Sequence, residues 1–282
     1  MMTLILHPST TRQLDAFISN PSHALIINGP KSSGKGSIAL NLTERLLGKP
    51  AYNHPGVMSI TKDKDASSIS IDAIRKLNSF LSLKVASKRS PNRVAIIEDA
   101  DLMTLEAQNA LLKTLEEPPA GTVLILSVSN PQALLPTLKS RAASMTLTRP
   151  DKQSIKKTVE NIDDEAFEQA YAVSGGLPGL MMGLLGEDEH PLKEATVTAR
   201  TLLTSTVYER LVLIDQLSKN KAATTDTLNL LMQMADRGLQ LAKDNQGISK
   251  WRKVLKASYK AQDALKSNAQ PKLVLTDLAL NL

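Results

Sequence analysis

The sequence predicts a wound α/β domain at its amino-terminal side, followed by helical domains. In the first half, short apolar runs alternate with amphipathic segments, and after Asp151 strand-like runs largely disappear. The charge changes in step, from a basic first half through an acidic middle to a basic last third. Chance variation of composition in short windows is the alternative explanation of these charge blocks. We expect domains over residues 1–149, 150–191 and 192–282.

Three apolar runs predict the strands of a parallel sheet. Each run is short, continuous and partly β-branched, which is typical of strands that are buried on both faces. The runs are Ala24–Ile27, Val94–Ile97 and Val123–Val128.

A helical apolar period predicts helices between and after these strands. Gly175 and Gly176 would end one helix, and Pro178 would begin the next. The predicted helices cover residues 38–47, 70–80, 105–116, 153–160, 163–174, 180–185, 192–204, 207–219, 225–243 and 249–266, with a polar linker at 187–191.

The helix over 249–266 has apolar residues on one face and basic residues mostly elsewhere. A solvated basic surface explains the basic residues, and a nucleic-acid surface is the alternative. The predicted apolar face consists of Trp251, Val254, Leu255, Tyr259 and Leu265.

Composition excludes several classes of protein. The 282 residues include no cysteine, and the four histidines are scattered, so we expect no disulfide, iron–sulfur cluster, cysteine nucleophile or zinc site. Eight aromatic residues are too few for a nucleic-acid binder that works by stacking bases on aromatic platforms. No apolar run is long enough to span a membrane, and the start lacks the features of a signal peptide. A cytoplasmic protein without membrane contact is expected.

A phosphate-binding loop is predicted directly after the first strand. The pattern G-x-x-x-x-G-K runs from Gly29 to Lys35 and opens a helix, which is the context that the motif requires. The next position should offer a hydroxyl to Mg²⁺ but is Gly36, and Ser37 is rotated by about 100° around the helix axis. ATP or ADP binding is therefore left open, whereas Mg²⁺ binding is not expected. A glycine-rich turn without function is the alternative. The candidate residues are Gly29, Ser33, Gly34, Lys35, Gly36 and Ser37.

An acidic pair, Glu98 and Asp99, follows the second predicted strand. Phosphoryl-transfer enzymes place a Mg²⁺-binding acid and a water-orienting acid there. ATPases of this type have Asp before Glu, and the reversed order gives each position the wrong side-chain length. A cluster that caps a helix N-terminus is the alternative.

Two further motifs carry a family resemblance. Residues 107–119 read AQNALLKTLEEPP, and residues 134–141 read LLPTLKSR. Both are similar to the AAA+ clamp-loader family, most closely to its delta-prime branch in bacterial DNA polymerase III. Weaker similarity extends to residues 69–77, 174–180 and 273–280.

The resemblance implies an AAA+ domain, a small helical lid and a helical collar that joins five subunits in a ring. The implied partners are the other clamp-loader subunits, the sliding clamp, and primed DNA through the assembled complex. It also implies that Arg141, after Ser140, acts in trans on ATP of a neighbouring subunit, unless it forms an ion pair with an acid such as Glu116 or Glu117. Ser129 and Asn130 fall at the position called sensor 1.

The sequence departs from the family in three places. Leu47 is followed within a few residues by His54, so the four-cysteine zinc module that usually lies between them is absent. Ala142 replaces the cysteine of the family's SRC motif, and residues 176–180 lack the lid arginine of motor subunits.

Three functions are compatible with these observations. The first is a clamp-loader component of the DNA polymerase III holoenzyme that does not hydrolyse ATP itself, although its status as an enzyme is open. The second is an active AAA+ motor subunit, and the third is a P-loop kinase that acts alone on a small molecule.

Overall fold

The computed structural model describes residues 4–63, 66–83, 91–159, 162–185, 191–267 and 269–282. The chain forms two compact units, Met1–Glu160 and Asn161–Leu282. The division into three domains therefore stays a prediction. The end of the predicted helix at 153–160 and most of the predicted linker at 187–191 lie outside the described residues.

The first unit contains a five-stranded parallel sheet with the order β2-β3-β4-β1-β5. All three predicted strands are present, as β1, β3 and β4. The two edge strands, β2 and β5, did not stand out in the sequence. The strands are β1 (Ala24–Asn28), β2 (Val57–Ile60), β3 (Arg93–Ile97), β4 (Thr122–Val128) and β5 (Ala143–Thr146).

The strand order brings the two candidate motifs to one edge of the sheet. Parallel pairing sets Asn28 of β1 beside Val128 of β4, and Ile97 of β3 beside Leu126 of the same strand. The carboxyl ends of β1 and β3 therefore flank the carboxyl end of β4. Ligands bind at this edge in open α/β sheets.

Helices cover both faces of this sheet. On one face, Leu77 and Leu111 of two helices pack with Leu124 of β4. On the other face, Phe17 and Leu42 pack in a second cluster. The helices of this unit are α1 (Pro8–Ser19), α2 (Lys35–Leu47), α3 (Ile71–Ser82), α4 (Leu105–Glu116), α5 (Pro136–Lys139) and α6 (Lys152–Thr158), with 3₁₀ turns at Ala100–Leu102 and Pro131–Ala133.

In its described residues, the second unit is helical. Its core joins several helices through side chains such as Leu180, Leu202, Leu231 and Leu275. None of the described helices is long and apolar enough to cross a membrane. The helices are α7 (Asp164–Ser174), α8 (Pro178–Leu185), α9 (Pro191–Thr204), α10 (Val207–Leu217), α11 (Lys221–Leu241), α12 (Asn245–Lys266) and α13 (Pro271–Asn281).

The apolar face predicted for α12 is wrong at Tyr259, which is 53% exposed. The buried residues of this helix are Val254, Ser258 and Ala261, at a spacing of four and three. Small side chains at the last two positions allow close packing, so the helix turns Tyr259 outward beside its basic residues.

Candidate functional site

The phosphate loop connects β1 to α2 as the sequence predicts. Gly34 precedes the first helical residue and has a φ of 85°, a left-handed conformation that glycine adopts without strain. A Cβ atom at Gly29 would lie 2.8 Å from Oγ of Ser33 and 3.2 Å from Cδ1 of Leu147, so a larger residue there would force these side chains to move. The first hydrogen bond within α2 runs from the N–H of Ile38 to the carbonyl oxygen of Gly34. The N–H groups before Ile38 therefore have no partner within the helix. Amides in this position can bind phosphate oxygens.

Lys35 points back into the loop rather than outward. Its Nζ atom donates to the carbonyl oxygens of Gly29 and Pro30 and to Oγ of Ser129, each at 2.9 Å. The residue is only 6% exposed. This burial lowers the pKa of the Lys35 ammonium, while Asp99 and Asp101 raise it by a smaller amount. Three acceptors therefore hold the amino group that would otherwise approach the outer phosphates.

Gly36 faces Glu98. A Cβ atom built at position 36 would have Oε2 of Glu98 as its nearest neighbour, at 3.9 Å. A serine or threonine hydroxyl would thus lie beside this carboxylate, in the arrangement that holds Mg²⁺ in P-loop enzymes. Ser37 does not replace it, because Ser37 lines a groove on another face of α2 with Asn41 and Glu44.

The acidic pair lies in the turn that follows β3. Burial, and secondly the charge of Asp99, raises the pKa of Glu98. Asp99 has a φ of 48°, which is uncommon for a residue with a side chain, and its N–H donates to Oγ of Ser127 at 3.0 Å. Asp99 precedes the 3₁₀ turn at Ala100–Leu102, but its side chain forms no capping hydrogen bond. The geometry does not favour the alternative of a simple capping cluster.

Ser129 and Asn130 have different roles at the end of β4. Ser129 contacts Lys35, whereas the side-chain oxygen of Asn130 accepts from the N–H of Gln132 and caps the following turn. Asp101 holds both in place, because its carboxylate accepts from their backbone N–H groups at 3.0 and 3.2 Å. No role was expected for Asp101, in the 3₁₀ turn after β3, or for Ser127, within β4.

The residues fit a phosphate group better than a metal ion. Oγ of Ser33 is buried and has no hydrogen-bond partner among the described residues, so it offers an additional polar atom inside the loop. For Mg²⁺ the hydroxyl ligand at position 36 is missing. Within the described ranges, no group of three or more His, Cys, Asp or Glu side chains could hold a metal ion.

Arg141 lies apart from the phosphate loop in sequence and follows α5. Its Nη2 atom is 2.9 Å from Oε1 of Glu116, and the side chains are 36% and 50% exposed. Its Nη1 atom donates to the carbonyl oxygen of Thr137 at 3.0 Å and to Oγ of Ser140 at 3.3 Å. The ion pair expected as the alternative to a role of Arg141 in trans is thus present, and it lies at the surface.

Comparison with known proteins identifies relatives among the subunits of DNA polymerase III. Residues 7–151, just over half of the chain, match the model of a family described as DNA polymerase III, delta subunit. The delta' subunit of Pseudomonas aeruginosa is 29% identical over 187 residues, which cover 59% of this chain and 56% of that protein. The delta' subunit of Escherichia coli is 32% identical over 152 residues, covering 53% and 45%.

Similarity to the tau subunit of Bacillus subtilis extends further along the chain, at 27% identity over 247 residues, 79% of this chain and 44% of that one. The chain spans about half the length of these relatives. A solved structure of a DNA polymerase III gamma subunit-related protein from Thermotoga maritima is similar over 96% of this chain and 97% of its own, with a TM-score of 0.55. At 20% identity this likeness supports the fold alone.

The names of these relatives confirm the resemblance to the delta-prime branch. The sheet order and the helical second unit confirm the AAA+ fold class. Since the family model covers the strand, loop and helix from Ala24 to Leu47 as well as the turn at Arg141, the chain belongs to the DNA polymerase III delta subunit family.

Proposed function

We propose that this chain is a delta-prime-like clamp-loader subunit that does not hydrolyse ATP itself and supplies Arg141 to ATP on a neighbouring subunit. The observation that carries this proposal is the exposed guanidinium of Arg141 in a chain whose own loop has Gly36 in place of a Mg²⁺ ligand. A chain that has lost part of its own nucleotide site but keeps this arginine is expected if the arginine serves another subunit.

Two features of the chain's own site argue against hydrolysis. Gly36 leaves no hydroxyl beside Glu98. The shorter acid, Asp99, stands where a longer side chain would orient the attacking water, and phosphoryl transfer depends on such positioning. Weak nucleotide binding remains compatible with the loop amides and with Ser33.

The pairing of Arg141 with Glu116 is compatible with a role in trans. A surface ion pair contributes about 0–1 kcal/mol, so a phosphate group can replace Glu116 at small cost. The guanidinium offers two parallel donors to phosphate oxygens, which an ammonium does not. Hydrogen bonds to Thr137 and Ser140 hold the terminal nitrogen Nη1, so Nη2, the atom that now contacts Glu116, is the one that would turn to a phosphate oxygen.

An apolar surface of the second unit supports assembly with other subunits. Val207, Tyr208, Leu211 and Val212 lie on one side of α10 and are 37–77% exposed. Exposed apolar patches of this kind mark protein interfaces. We propose that this helix belongs to a collar that joins the chain to four other clamp-loader subunits. The ring would act on the sliding clamp and on primed DNA, in the cytoplasm.

An active motor subunit is the second candidate, because the tau subunit of Bacillus subtilis matches a larger part of the chain than the delta' subunits do. Gly36 and the order of Glu98 and Asp99 count against this candidate. Family membership leaves the third hypothesis, a small-molecule kinase, without support.

The test is the ATPase activity of the complex reconstituted with Arg141→Ala. Removal of an arginine finger lowers phosphoryl-transfer rates by about 10³–10⁵ in other systems, although one site of several in a ring would give a smaller loss. Arg75→Ala is the matched control, because Arg75 also forms an exposed ion pair, with Asp72. We expect lower DNA- and clamp-stimulated ATPase for Arg141→Ala only, and poor rescue by Arg141→Lys.

Unchanged ATPase activity and clamp loading in the Arg141→Ala complex would show that the arginine does not act in trans. ATP hydrolysis by the purified chain above background would favour the motor-subunit alternative instead.

A further inference from the structure

The exposed side of α12 carries an unusual concentration of positive charge. Between Asn245 and Gln262 this helix has five basic residues and no acidic residue. Four of them form what we call the basic stripe, which follows the outer surface over about two turns. The basic stripe consists of Arg252, Lys253, Lys256 and Lys260.

Three members of the basic stripe are free of partners. Arg252, Lys253 and Lys256 are exposed and form no ion pair or side-chain hydrogen bond within the part of the chain that the structure describes. Lys260 alone pairs, with Asp277 of α13 at 2.9 Å. Two lysines elsewhere in the second unit, Lys219 and Lys272, are paired instead, and both contact Asp215.

The stripe opposes the local stability of its own helix. Arg252 and Lys256 are four residues apart, as are Lys256 and Lys260, and like charges at this spacing repel each other. Departures from local consistency tend to occur at functional sites, where a partner compensates for them. A polyanion along the helix would remove this repulsion.

Tyr259 adds a recognition element to the same surface. Its position, seven residues after Arg252, places it on the side of the helix that carries Lys256, and it is 53% exposed. A planar ring between positive charges can stack on a base while the charges contact phosphates. Duplex DNA has its bases stacked on each other, so only a single strand can use this ring. The chain has too few aromatic residues for a stacking platform, and charge must therefore supply most of the affinity.

We infer that the basic stripe and Tyr259 form a binding surface for single-stranded DNA. The contact is independent of sequence, since phosphates and one stacked base carry little base information. This surface belongs to the second unit, whereas the phosphate loop and Arg141 belong to the first, and the inference does not depend on how ATP is used.

The test is the binding of the full-length chain to a fluorescent oligothymidylate of about 20 nucleotides, measured by anisotropy over a series of salt concentrations. The variant Arg252→Gln/Lys253→Gln/Lys256→Gln removes three charges and keeps residues that favour helices. The control Lys219→Gln/Lys221→Gln/Lys272→Gln removes the same charge from another part of the second unit. Circular dichroism verifies that both variants remain folded.

We expect the stripe variant to bind at least tenfold more weakly at low salt, and the slope of log K against log salt to fall by about 2, from three lost phosphate contacts. The control should retain its affinity within about threefold of the unmodified chain, as expected for a small non-specific charge effect. Tyr259→Ser should weaken binding without changing the slope, whereas Tyr208→Ser should have no effect.

Several results would overturn the inference. These are an equal loss of affinity in the stripe and control variants, no loss in either, and a salt slope that falls with Tyr259→Ser. Binding of duplex DNA of the same length as tightly as the single strand would also contradict it. Displacement of the oligonucleotide by polyglutamate as efficiently as by unlabelled oligothymidylate would show a general polyanion surface instead.

Discussion

Nζ of Lys35 lies 2.9 Å from Oγ of Ser129, so the lysine of the phosphate loop joins helix α2 to the end of β4. Two further bonds connect the same amino group to carbonyl oxygens of Gly29 and Pro30. In this arrangement Lys35 links three segments of the chain around the carboxyl edge of the sheet. Its contribution is therefore expected to be structural as well as electrostatic.

Lys35→Ala should destabilise the chain and leave the function of the complex nearly unchanged. Loss of a buried, charged hydrogen-bond donor costs about 1–3 kcal/mol of unfolding free energy. Chemical denaturation measures this loss, and Lys49→Ala, an exposed position after the same helix, is the control. If the complex lost tenfold or more of its ATPase activity, about 1.4 kcal/mol in the barrier, the chain's own site would be catalytic.

Glu98→Gln should raise the melting temperature near neutral pH. The pKa of Glu98 is raised in the folded chain, first by burial and then by Asp99, so its ionised form is disfavoured there. Its contribution to stability is therefore fully present below the unfolded-state pKa and is lost as the pH rises through the folded-state pKa. Glutamine carries no charge at any pH and avoids this loss.

The gain in melting temperature from Glu98→Gln should accordingly diminish at acidic pH, where Glu98 itself becomes protonated. Thermal unfolding of both chains across the acid-to-neutral range measures the difference, with Glu117→Gln on the exposed end of α4 as the control for a lost charge. A gain that is the same at all pH values would contradict a raised pKa.

The interior of the first unit could be predicted from the sequence because its strands are buried on both faces. In β1, β3 and β4, nearly every residue is inaccessible to solvent, and the sequence reads as continuous apolar runs. The edge strands lack this signal: in β5 only Met145 is buried, and in β2 only Ile60 is. Helix α1 was also missed, although Pro8 at its start is a favoured first residue.

The site was predictable in its parts but not in its connections. The glycine pattern located the loop, and the acidic pair located the turn after β3. The bonds from Lys35 to loop carbonyls could not be predicted, because they depend on how far Ser129 lies from the loop once the sheet has formed. For the same reason, the sequence could not predict that Asp101 accepts hydrogen bonds from the N–H groups after β4.

Polar substitution on α10 should weaken entry into the complex without affecting the fold. Tyr208 and Val212 are 77% and 54% exposed and lie one turn apart, so Tyr208→Ser/Val212→Ser removes apolar surface that contributes nothing to the internal core. If this surface is an interface, loss of two such side chains should cost about 2–4 kcal/mol of assembly free energy. Analytical gel filtration with the other subunits measures how much of the variant enters the complex.

Leu241→Ser is the matched control for this experiment, because Leu241 is 60% exposed at the end of α11 and lies outside the α10 patch. Equal assembly of the α10 variant and the unmodified chain would exclude this surface from the interface. A fall in assembly for Leu241→Ser alone would place the interface elsewhere in the second unit.

Glu116→Gln should separate a structural role of Arg141 from a role in trans. The pair is solvent-exposed on both sides, so its loss should reduce the unfolding free energy by less than about 1 kcal/mol. Because Glu116 competes with phosphate for the guanidinium, the reconstituted complex should retain its ATPase rate or exceed it. Steady-state ATPase assays with DNA and clamp, alongside thermal unfolding of the isolated chain, measure both effects.

The double variant Glu116→Gln/Arg141→Ala completes the comparison. If Arg141 acts in trans, the double variant should be as inactive as Arg141→Ala alone, since Glu116 matters only while the arginine is present. If the arginine merely anchors α4 to the turn after α5, Glu116→Gln should lower the ATPase rate as much as Arg141→Ala does. That equality would rule out the trans-acting role, because the two side chains would then contribute only through each other.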